Sequence, residues 1–218
     1  MKSIVLAGSK GIGKEIYNQL RDISDELVFT SRKELDTSDL NSVKDFIKKH
    51  TVADVLVLNT GGPEPMDFEK ITEEIWLKYF NQLFLSFVLI LQNIKIRENG
   101  YVFLISSFYI KEPNIKLIPS NSLRIGFTSV FKALSKLNME KKISFINIAP
   151  GPTETDRLKE LVKKDGKTME DFIRSLPSKR VSDPSEIGKF IRFVVEKRIK
   201  ALNGVTINFD MGLSNYIL

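Results

Sequence analysis

The sequence predicts an α/β protein in which helices cover both faces of a parallel sheet. Short apolar segments alternate with amphipathic segments along all 218 residues, and this alternation is typical of parallel βαβ units. The right-handed crossovers that join such units leave few topologies open. No internal repeat and no linker interrupts the pattern. We therefore expect a single unit, residues 1–218, with three layers (α/β/α) around a doubly wound sheet of the Rossmann type.

Six short apolar segments are predicted to be strands because β-branched residues are frequent in them and turn residues bound them. They are residues 3–7, 26–31, 53–59, 101–107, 143–151 and 204–210.

Helices are predicted between these strands from apolar residues at helical spacing. Ile12, Ile16 and Leu20 mark the first helix, and Val43, Phe46 and Ile47 mark the second. Two longer helices follow, at about 71–95 and 121–138. The last helix is predicted to begin at Pro184, with Asp183 as its N-cap. Its apolar face, which we expect to be buried, consists of Ile187, Ile191, Val194 and Val195.

Residues 155–180 interrupt this rhythm with charged, short helical pieces. In an open α/β sheet, ligands bind at the carboxyl ends of the strands. We expect this insertion to form a lid over a substrate there.

The composition argues against several classes of protein. There is no cysteine and one histidine, His50, so disulfides, Cys-ligated metals and His-cluster metal sites are not expected. The net charge is +6, but the lysines are scattered, and we expect no nucleic-acid partner. No apolar run reaches the ~20 residues of a membrane span. The first residues enter a strand directly, without a signal-peptide pattern, so we expect a cytoplasmic protein.

A glycine-rich turn joins the first strand to the first helix in the sequence "VLAGSKGIG", residues 5–13. Glycines permit tight turns and a close approach of the backbone to a phosphate, and a helix N-terminus favours an anion. A tight turn without a ligand would also use glycines. The strand-turn-helix context favours nucleotide binding by Gly8, Ser9, Lys10, Gly11, Ile12 and Gly13.

Three further segments follow in order: "LNTGGP" (58–63), "FLISS" (103–107) and "INIAPGPTET" (146–155). With these motifs, nearly the whole chain resembles the short-chain dehydrogenase/reductase family. The usual glycine pattern of that family is T-G-x-x-x-G-x-G. Gly11 and Gly13 match it, Ala7 replaces the first glycine, and Gly8 lies one place later.

The resemblance implies a nicotinamide cofactor, and the end of the second strand indicates which one. NAD enzymes place an acid there to bind the ribose 2′-hydroxyl. Here Ser31 takes that place, Arg32 follows, and Lys10 lies in the glycine turn. Because cations bind a 2′-phosphate, NADP(H) is expected rather than NAD(H). The alternative is that Arg32 and Lys33 are solvated loop charges.

The family resemblance assigns the remaining cofactor contacts. Asp39 and Leu40 resemble the pair at the adenine, and Asn59 matches the first asparagine of the family's N-N-A-G motif. Gly61 and Gly62 depart from that motif but still permit a close approach. The turn that holds the nicotinamide carboxamide is implied at Pro150, Gly151, Thr153 and Thr155.

The catalytic positions depart from the family. Its chemistry uses Asn, Ser, Tyr and Lys, and here only the serine, Ser107, is retained. The tyrosine and lysine positions carry Ser120 and Arg124, and the asparagine position falls on Leu83. Arg124 is implied to hold the nicotinamide ribose. The proton donor is left open between Ser120, water and Tyr109, which follows Ser107 by two residues.

With "NTGGP", "IKEP" and "SN..R", the chain resembles a divergent subgroup, described as oxoacyl-carrier-protein-reductase-like or sugar-dehydrogenase-like, that carries the same Ser and Arg. The first hypothesis is an NADP(H)-dependent oxidoreductase acting on a small carbonyl or alcohol substrate. The second is a non-catalytic NADP(H)-binding protein, acting as a sensor or an oligomer partner. The family also implies a homodimer or homotetramer built through the two long helices. We expect the apolar C-terminal residues 214–218 to contact a neighbouring subunit.

Overall fold

The structure is a computed structural model that describes residues 1–215. Tyr216–Leu218, and with them most of the predicted C-terminal contact, lie outside the described residues. Six parallel strands form one sheet in the order β2-β1-β3-β4-β5-β6. The strands are β1 (Lys2–Val5), β2 (Glu26–Phe29), β3 (Val52–Leu58), β4 (Lys95–Ile105), β5 (Ser144–Pro150) and β6 (Thr206–Phe209). The predicted α/β fold with six strands is confirmed.

This strand order places a topological switch point between β1 and β3. From β1 the chain runs outward to β2 and then returns to pair β3 with the other side of β1. Ligands of doubly wound sheets bind in the crevice outside the carboxyl ends of the strands at such a point. The classic Rossmann order has a further strand outside the second one. Residues 30–39, which join β2 to the next helix, are too few for that extra crossover, so β2 is an edge strand.

Eight α-helices are found within the described residues. They are α1 (Gly11–Leu20), α2 (Leu40–Lys49), α3 (Glu73–Phe80), α4 (Ser86–Asn93), α5 (Ile118–Leu137), α6 (Asp156–Lys164), α7 (Met169–Ser175) and α8 (Pro184–Glu196).

One face of the sheet is covered by α1 and α8 and the other by α2, α4 and α5. The residues predicted to face inward on α8 are buried, as are Ile16 and Leu20 of α1. Ile12 is half-buried and lines a cavity instead. The predicted N-cap of α8 is confirmed, since the Asp183 carboxylate accepts a hydrogen bond of 2.8 Å from the Ser185 N–H.

The long helix predicted at 71–95 is α3 and α4 joined by a π-helical turn, Asn81–Leu85. By length and composition alone, Glu73–Asn93 is apolar enough to cross a membrane, although polar residues interrupt it and no apolar run reaches that length. The core helix of a soluble protein passes the same test. Here Phe87 and Ile90 pack in the core against the sheet, and 28% of the most apolar part of the segment is buried.

Two other boundaries differ from the prediction by more than two residues. Helix α5 begins at Ile118 rather than 121, with Pro119 in its first turn, a position that proline favours. Strand β4 begins at Lys95 rather than 101, with a register shift opposite Ala53 and Val55. The His50 ring is half-buried and packs on Phe46 with 4.6 Å between centroids, and burial lowers its pKa.

Candidate active site

A cavity of about 380 Å³ lies at the carboxyl ends of the strands, where the switch point predicts a ligand. The residues predicted from sequence that line it are Ile12, Asn59, Gly62, Ser107, Tyr109, Ser120, Arg124, Pro150, Gly151, Thr153 and Thr155. A second, more open depression of about 510 Å³ lies beside β6 and α8 and contains none of the predicted site residues. The chemistry is therefore assigned to the first cavity.

The glycine turn is shaped so that side chains would not fit. A Cβ atom added at Gly13 would lie 2.2 Å from the carbonyl oxygen of Ala7, and one at Gly8 would lie 2.8 Å from Cβ of Phe29. Gly11 has a φ of 50° and Ala7 a φ of 49°, so Ala7 adopts a left-handed conformation that usually favours glycine. Asn59 braces the turn from β3, because its Nδ2 donates to the Ala7 carbonyl at 3.5 Å.

The N-terminus of α1 suits an anionic ligand. Lys10, its N-cap residue, makes no capping hydrogen bond with its side chain, and the first turn contains no acidic residue. The first N–H groups of a helix lack partners within the helix and carry the positive end of its dipole. This turn therefore fits the phosphates of a nucleotide. Ser9 and Lys10 are exposed on it.

At the end of β2 the predicted residues already have partners. Arg32 is 77% exposed in its side chain and pairs with Asp36 at 2.9 Å. The N–H and hydroxyl of Ser31 both donate to Glu34, and these bonds lower the pKa of the Glu34 carboxyl. Sequence reasoning missed Glu34 and Asp36. Glu34 lies three residues after Ser31 and Asp36 four residues after Arg32, and this spacing could have indicated that they pair.

The two residues assigned to the adenine lie outside the cavity. The Asp39 carboxylate caps α2 by accepting a hydrogen bond of 2.9 Å from the Asn41 N–H, and Leu40 opens that helix. Thr37 is buried close by and shares a hydrogen bond of 2.8 Å with Thr60. This threonine pair joins the loops that follow β2 and β3.

The turn after β5 closes the cavity opposite the glycine turn. A Cβ atom at Gly151 would lie 2.8 Å from the backbone of Asp210, and one at Gly11 would lie 3.2 Å from the methyl group of Thr155. The Thr153 hydroxyl donates to the Gly151 carbonyl at 3.0 Å. The Thr155 hydroxyl accepts from the Leu158 N–H at 3.3 Å and so caps α6.

Arg124, Ser120 and Ser107 all line the cavity, and Arg124 contacts Ser120 directly. Arg124 is only 8% exposed. Its Nε donates to Ser120 Oγ at 3.2 Å, and its Nη1 donates to the Ile105 carbonyl at 3.2 Å. Burial lowers the pKa of its guanidinium to about 10. Ser107 Oγ accepts a hydrogen bond of 3.2 Å from the Tyr109 N–H.

Tyr109 and the π turn complete this region. The Tyr109 ring packs on Phe108, with 4.1 Å between centroids, and both rings line the cavity. Leu83, which takes the position of the family's catalytic asparagine, is buried. Sequence reasoning missed Gln82, whose Nε2 donates to the Gly61 carbonyl at 2.8 Å. Gln82 thereby holds the Gly61-Gly62 loop beside Arg124.

Residues of the insertion at 155–180 line the cavity, and its role as a substrate lid stays a prediction. Arg157 of α6 contacts Glu64 and donates to the Pro63 carbonyl at 2.7 Å. Lys164 also contacts Glu64, and these two cations lower the pKa of the Glu64 carboxyl. The ion pairs tie α6 to the loop after β3. The apolar residues that α6 and α7 add to the lining are Leu158, Leu161, Val162 and Phe172.

The fold and the cavity define a Rossmann-type protein with a ligand crevice at its switch point. A family model described as "Enoyl-(Acyl carrier protein) reductase" matches residues 13–214. The chain belongs to the short-chain dehydrogenase/reductase family of oxidoreductases.

Two curated relatives illustrate the distance within the family. The uncharacterized oxidoreductase YvaG of Bacillus subtilis is 20% identical over 250 residues, which cover 97% of this chain and 95% of that protein. The 3-oxoacyl-[acyl-carrier-protein] reductase FabG of Chlamydia trachomatis is 26% identical over 199 residues, which cover 89% and 77%.

Solved structures confirm the fold over the whole chain. YwfH, an NADPH-dependent reductase involved in bacilysin biosynthesis, superimposes with a TM-score of 0.86 at 19% identity and covers 99% of both chains. L-Sorbose reductase from Gluconobacter frateurii, complexed with NADPH and L-sorbose, gives a TM-score of 0.83 at 19% identity, covering 99% of this chain and 97% of that one.

Proposed function

We propose that this protein is an NADP(H)-dependent oxidoreductase that interconverts a carbonyl and an alcohol. The observation that supports this most directly is one cavity lined by Ile12 of the glycine turn, by the Pro150–Thr155 turn, by Ser107 and by the buried Arg124. Bound there, the cofactor would supply or accept a hydride at the carbonyl carbon. The residues of the chain would hold it through the N-terminus of α1 and orient the substrate oxygen at Ser107.

The choice of NADP(H) over NAD(H) depends on Lys10 and Arg32. Lys10 is exposed and has no ion-pair partner within residues 1–215, so it is free to meet a phosphate. Arg32 would exchange Asp36 for the 2′-phosphate, a stronger bidentate partner. The fold neighbours YwfH, which is named as NADPH-dependent, and L-sorbose reductase, which was solved with NADPH, support this choice. Glu34 opposes it, because its carboxylate lies beside Ser31.

The substrate proposed for this cavity has an apolar body. Phe108, Leu158, Leu161 and Phe172 line the part beneath α6 and α7. The nearby cations Lys116 and Arg157 are already paired with Asp67 and Glu64. An uncharged carbonyl compound with an aliphatic or aromatic side fits this lining best.

A non-catalytic NADP(H)-binding protein is the second candidate. It is favoured by Ser120 and Arg124, which stand where the family uses a phenol and an ammonium. An aliphatic hydroxyl is far less acidic than a phenol with a pKa of about 10. Loss of general acid catalysis typically costs about 10²–10⁴-fold in rate. Both candidates use the same crevice, so binding alone does not separate them.

Two measurements test the proposal in sequence. Titration of NADPH fluorescence with the protein should show saturable binding, and no binding would exclude both candidates. A screen of ketones, aldehydes and oxoacyl thioesters with NADPH should then reveal turnover. NADPH binding without turnover of any carbonyl class would favour the binding protein over the enzyme.

We also propose a homodimer or homotetramer built through α3 and α5. Leu77, Phe80 and Ile125 are 54%, 36% and 45% exposed on these helices. Apolar side chains grouped on one surface are typical of protein interfaces. The cytoplasmic location stays a prediction.

A further inference from the structure

Among the described residues 1–215, the charge of Arg124 is buried without an opposite charge. Its two hydrogen-bond acceptors, Ser120 Oγ and the Ile105 carbonyl, are neutral. Within residues 1–215, no Asp or Glu carboxylate lies within the 4.0 Å of an ion pair with it. Buried charges in proteins are normally paired or hydrogen-bonded, because their desolvation is costly. The pair of this cation is therefore expected to be a ligand.

The unused donors of Arg124 point to where that ligand lies. A guanidinium has five N–H donors, and the two contacts above leave three of them free. Nη2 lies beside the Gly61-Gly62 loop, since a Cβ atom at Gly62 would lie 3.8 Å from it. Gly62 and Arg124 both line the cavity, so Nη2 lies at the cavity wall.

Ser120 and Ser107 each accept a hydrogen bond and have a hydroxyl hydrogen left to donate. Ser120 Oγ accepts the Nε–H of Arg124, and no other hydrogen bond of this hydroxyl occurs in the described part of the chain. Ser107 Oγ accepts the Tyr109 N–H. A hydroxyl whose lone pair is occupied in this way keeps its own O–H for another acceptor. Both serines line the cavity. Ser120 also lies in the first turn of α5, at the positive end of the dipole of a 20-residue helix.

We propose that Arg124, Ser120 and Ser107 form a preformed site for one negative charge, and that this charge is the oxyanion of the reacting carbonyl. This inference rests on the proposed function and adds the group that replaces the family's phenol. As the carbonyl carbon is reduced, the π electrons of the C=O bond move to the oxygen. Arg124 stabilises that oxygen while remaining protonated, as preorganised donors do in an oxyanion hole.

The proton balance follows from the same geometry. Ser120 transfers its Oγ proton to the substrate oxygen and takes one back from solvent water, so one proton is consumed from solvent and Arg124 is unchanged. Ribose hydroxyls, the partner that the family resemblance implies for Arg124, would accept its N–H groups but leave its charge uncompensated. An oxyanion would both accept these N–H groups and compensate the positive charge.

The test uses the cofactor-free protein and a matched pair of probes, benzoate and neutral benzamide. Both place a planar ring in the apolar cavity, and only benzoate brings a negative charge. Calorimetry on the wild type should show benzoate binding at least about tenfold more tightly than benzamide, since hydrogen bonds to charged groups are the strong ones.

Three variants complete the test. Arg124→Met should abolish the preference for benzoate, Ser120→Ala should reduce it, and Arg124→Lys should retain part of it. Lys116→Gln is the matched control, because Lys116 is another cation of the same cavity but is paired with Asp67. That variant should keep the preference.

Equal affinity for the two probes, or a preference that survives Arg124→Met, would overturn the inference. Arg124→Met should also raise the melting temperature of the ligand-free protein, because it removes an uncompensated buried charge. NADPH titration of the same samples distinguishes a failure of this inference from a failure of the proposed function. Saturable NADPH binding without a benzoate preference defeats only this inference, whereas absent NADPH binding defeats the proposed function.

Discussion

Replacing Gly13 by alanine would put a methyl group where the glycine turn has no room. The added Cβ would lie 2.2 Å from the Ala7 carbonyl oxygen and 2.8 Å from Nδ2 of Asn59. The first neighbour is backbone and cannot rotate away. The turn must therefore open, and the N–H groups at the start of α1 must move with it.

Two opposing terms set the size of the effect on stability. Alanine improves the helix propensity of a glycine position by up to about 1 kcal/mol. Overpacking of a closely packed site costs ~1–3 kcal/mol, and the contact here is at the severe end. We expect a net loss of about 1–2 kcal/mol, which for a chain of this size lowers Tm by roughly 2–8 °C.

The effect on the cofactor should be larger in relative terms. A hydrogen bond to a charged group contributes ~1.5–3 kcal/mol, so loss of one N–H contact to a phosphate weakens NADPH binding about 10- to 100-fold. NADPH fluorescence titration measures this change, and a thermal melt confirms that the variant is folded.

Gly100→Ala provides the matched control. Its Cβ would lie 2.7 Å from the backbone oxygen of Asp54, so it carries a steric cost in β4 without contacting α1 or the cavity. It should lower Tm and leave the Kd for NADPH unchanged. If folded Gly13→Ala binds NADPH as the wild type does, the assignment of this turn to the phosphates is wrong.

Four further outcomes are expected. Arg32→Ala should weaken NADPH binding more than NADH binding, and Glu34→Gln should strengthen NADPH binding by removing a like charge; equal effects on both cofactors would contradict the assignment of the 2′-phosphate. Leu77→Asp should convert the oligomer to a monomer in light scattering without lowering Tm, and an unchanged mass would reject the proposed interface. Tyr109→Phe should leave any carbonyl reduction nearly unchanged; abolished turnover would make Tyr109 the proton donor. Burial lowers the pKa of Lys200 from 10.5 to about 8, so folding favours the neutral amine. The stability of the wild type relative to Lys200→Met should therefore rise as the pH rises from about 8 to 10.5. A stability difference that does not change over this pH range would refute the pKa shift.

The sequence was sufficient for the parts of the site that depend on local chemistry. Strand, glycine turn and helix follow one another within residues 2–20, so their pattern is visible in a single segment. The i, i+4 spacing of Ser120 and Arg124 also predicted their contact, because residues so spaced are neighbours on a helix. The structure places that contact at 3.2 Å.

Contacts between distant segments could not be predicted in this way. Gln82 reaches Gly61 because the π turn of Asn81–Leu85 changes the register of the helix. The assignment of the asparagine position to Leu83 assumes a regular α-helix there. The pairing of Glu64 with Arg157 and Lys164 joins segments about a hundred residues apart. The missing partner of Arg124 is likewise a property of everything packed around it.

That missing partner decides what kind of chemistry the crevice supports. In the family's pair, a lysine lies beside a tyrosine whose phenol can release a proton at an accessible pKa. Here a fixed guanidinium lies beside Ser120, whose hydroxyl is a far weaker acid than a phenol. Stabilisation must then come from charge rather than from a ready acid, and any penalty in rate should fall on the proton transfer. A solvent isotope effect larger than that of tyrosine-containing relatives is therefore expected, and its absence would place the slow step elsewhere.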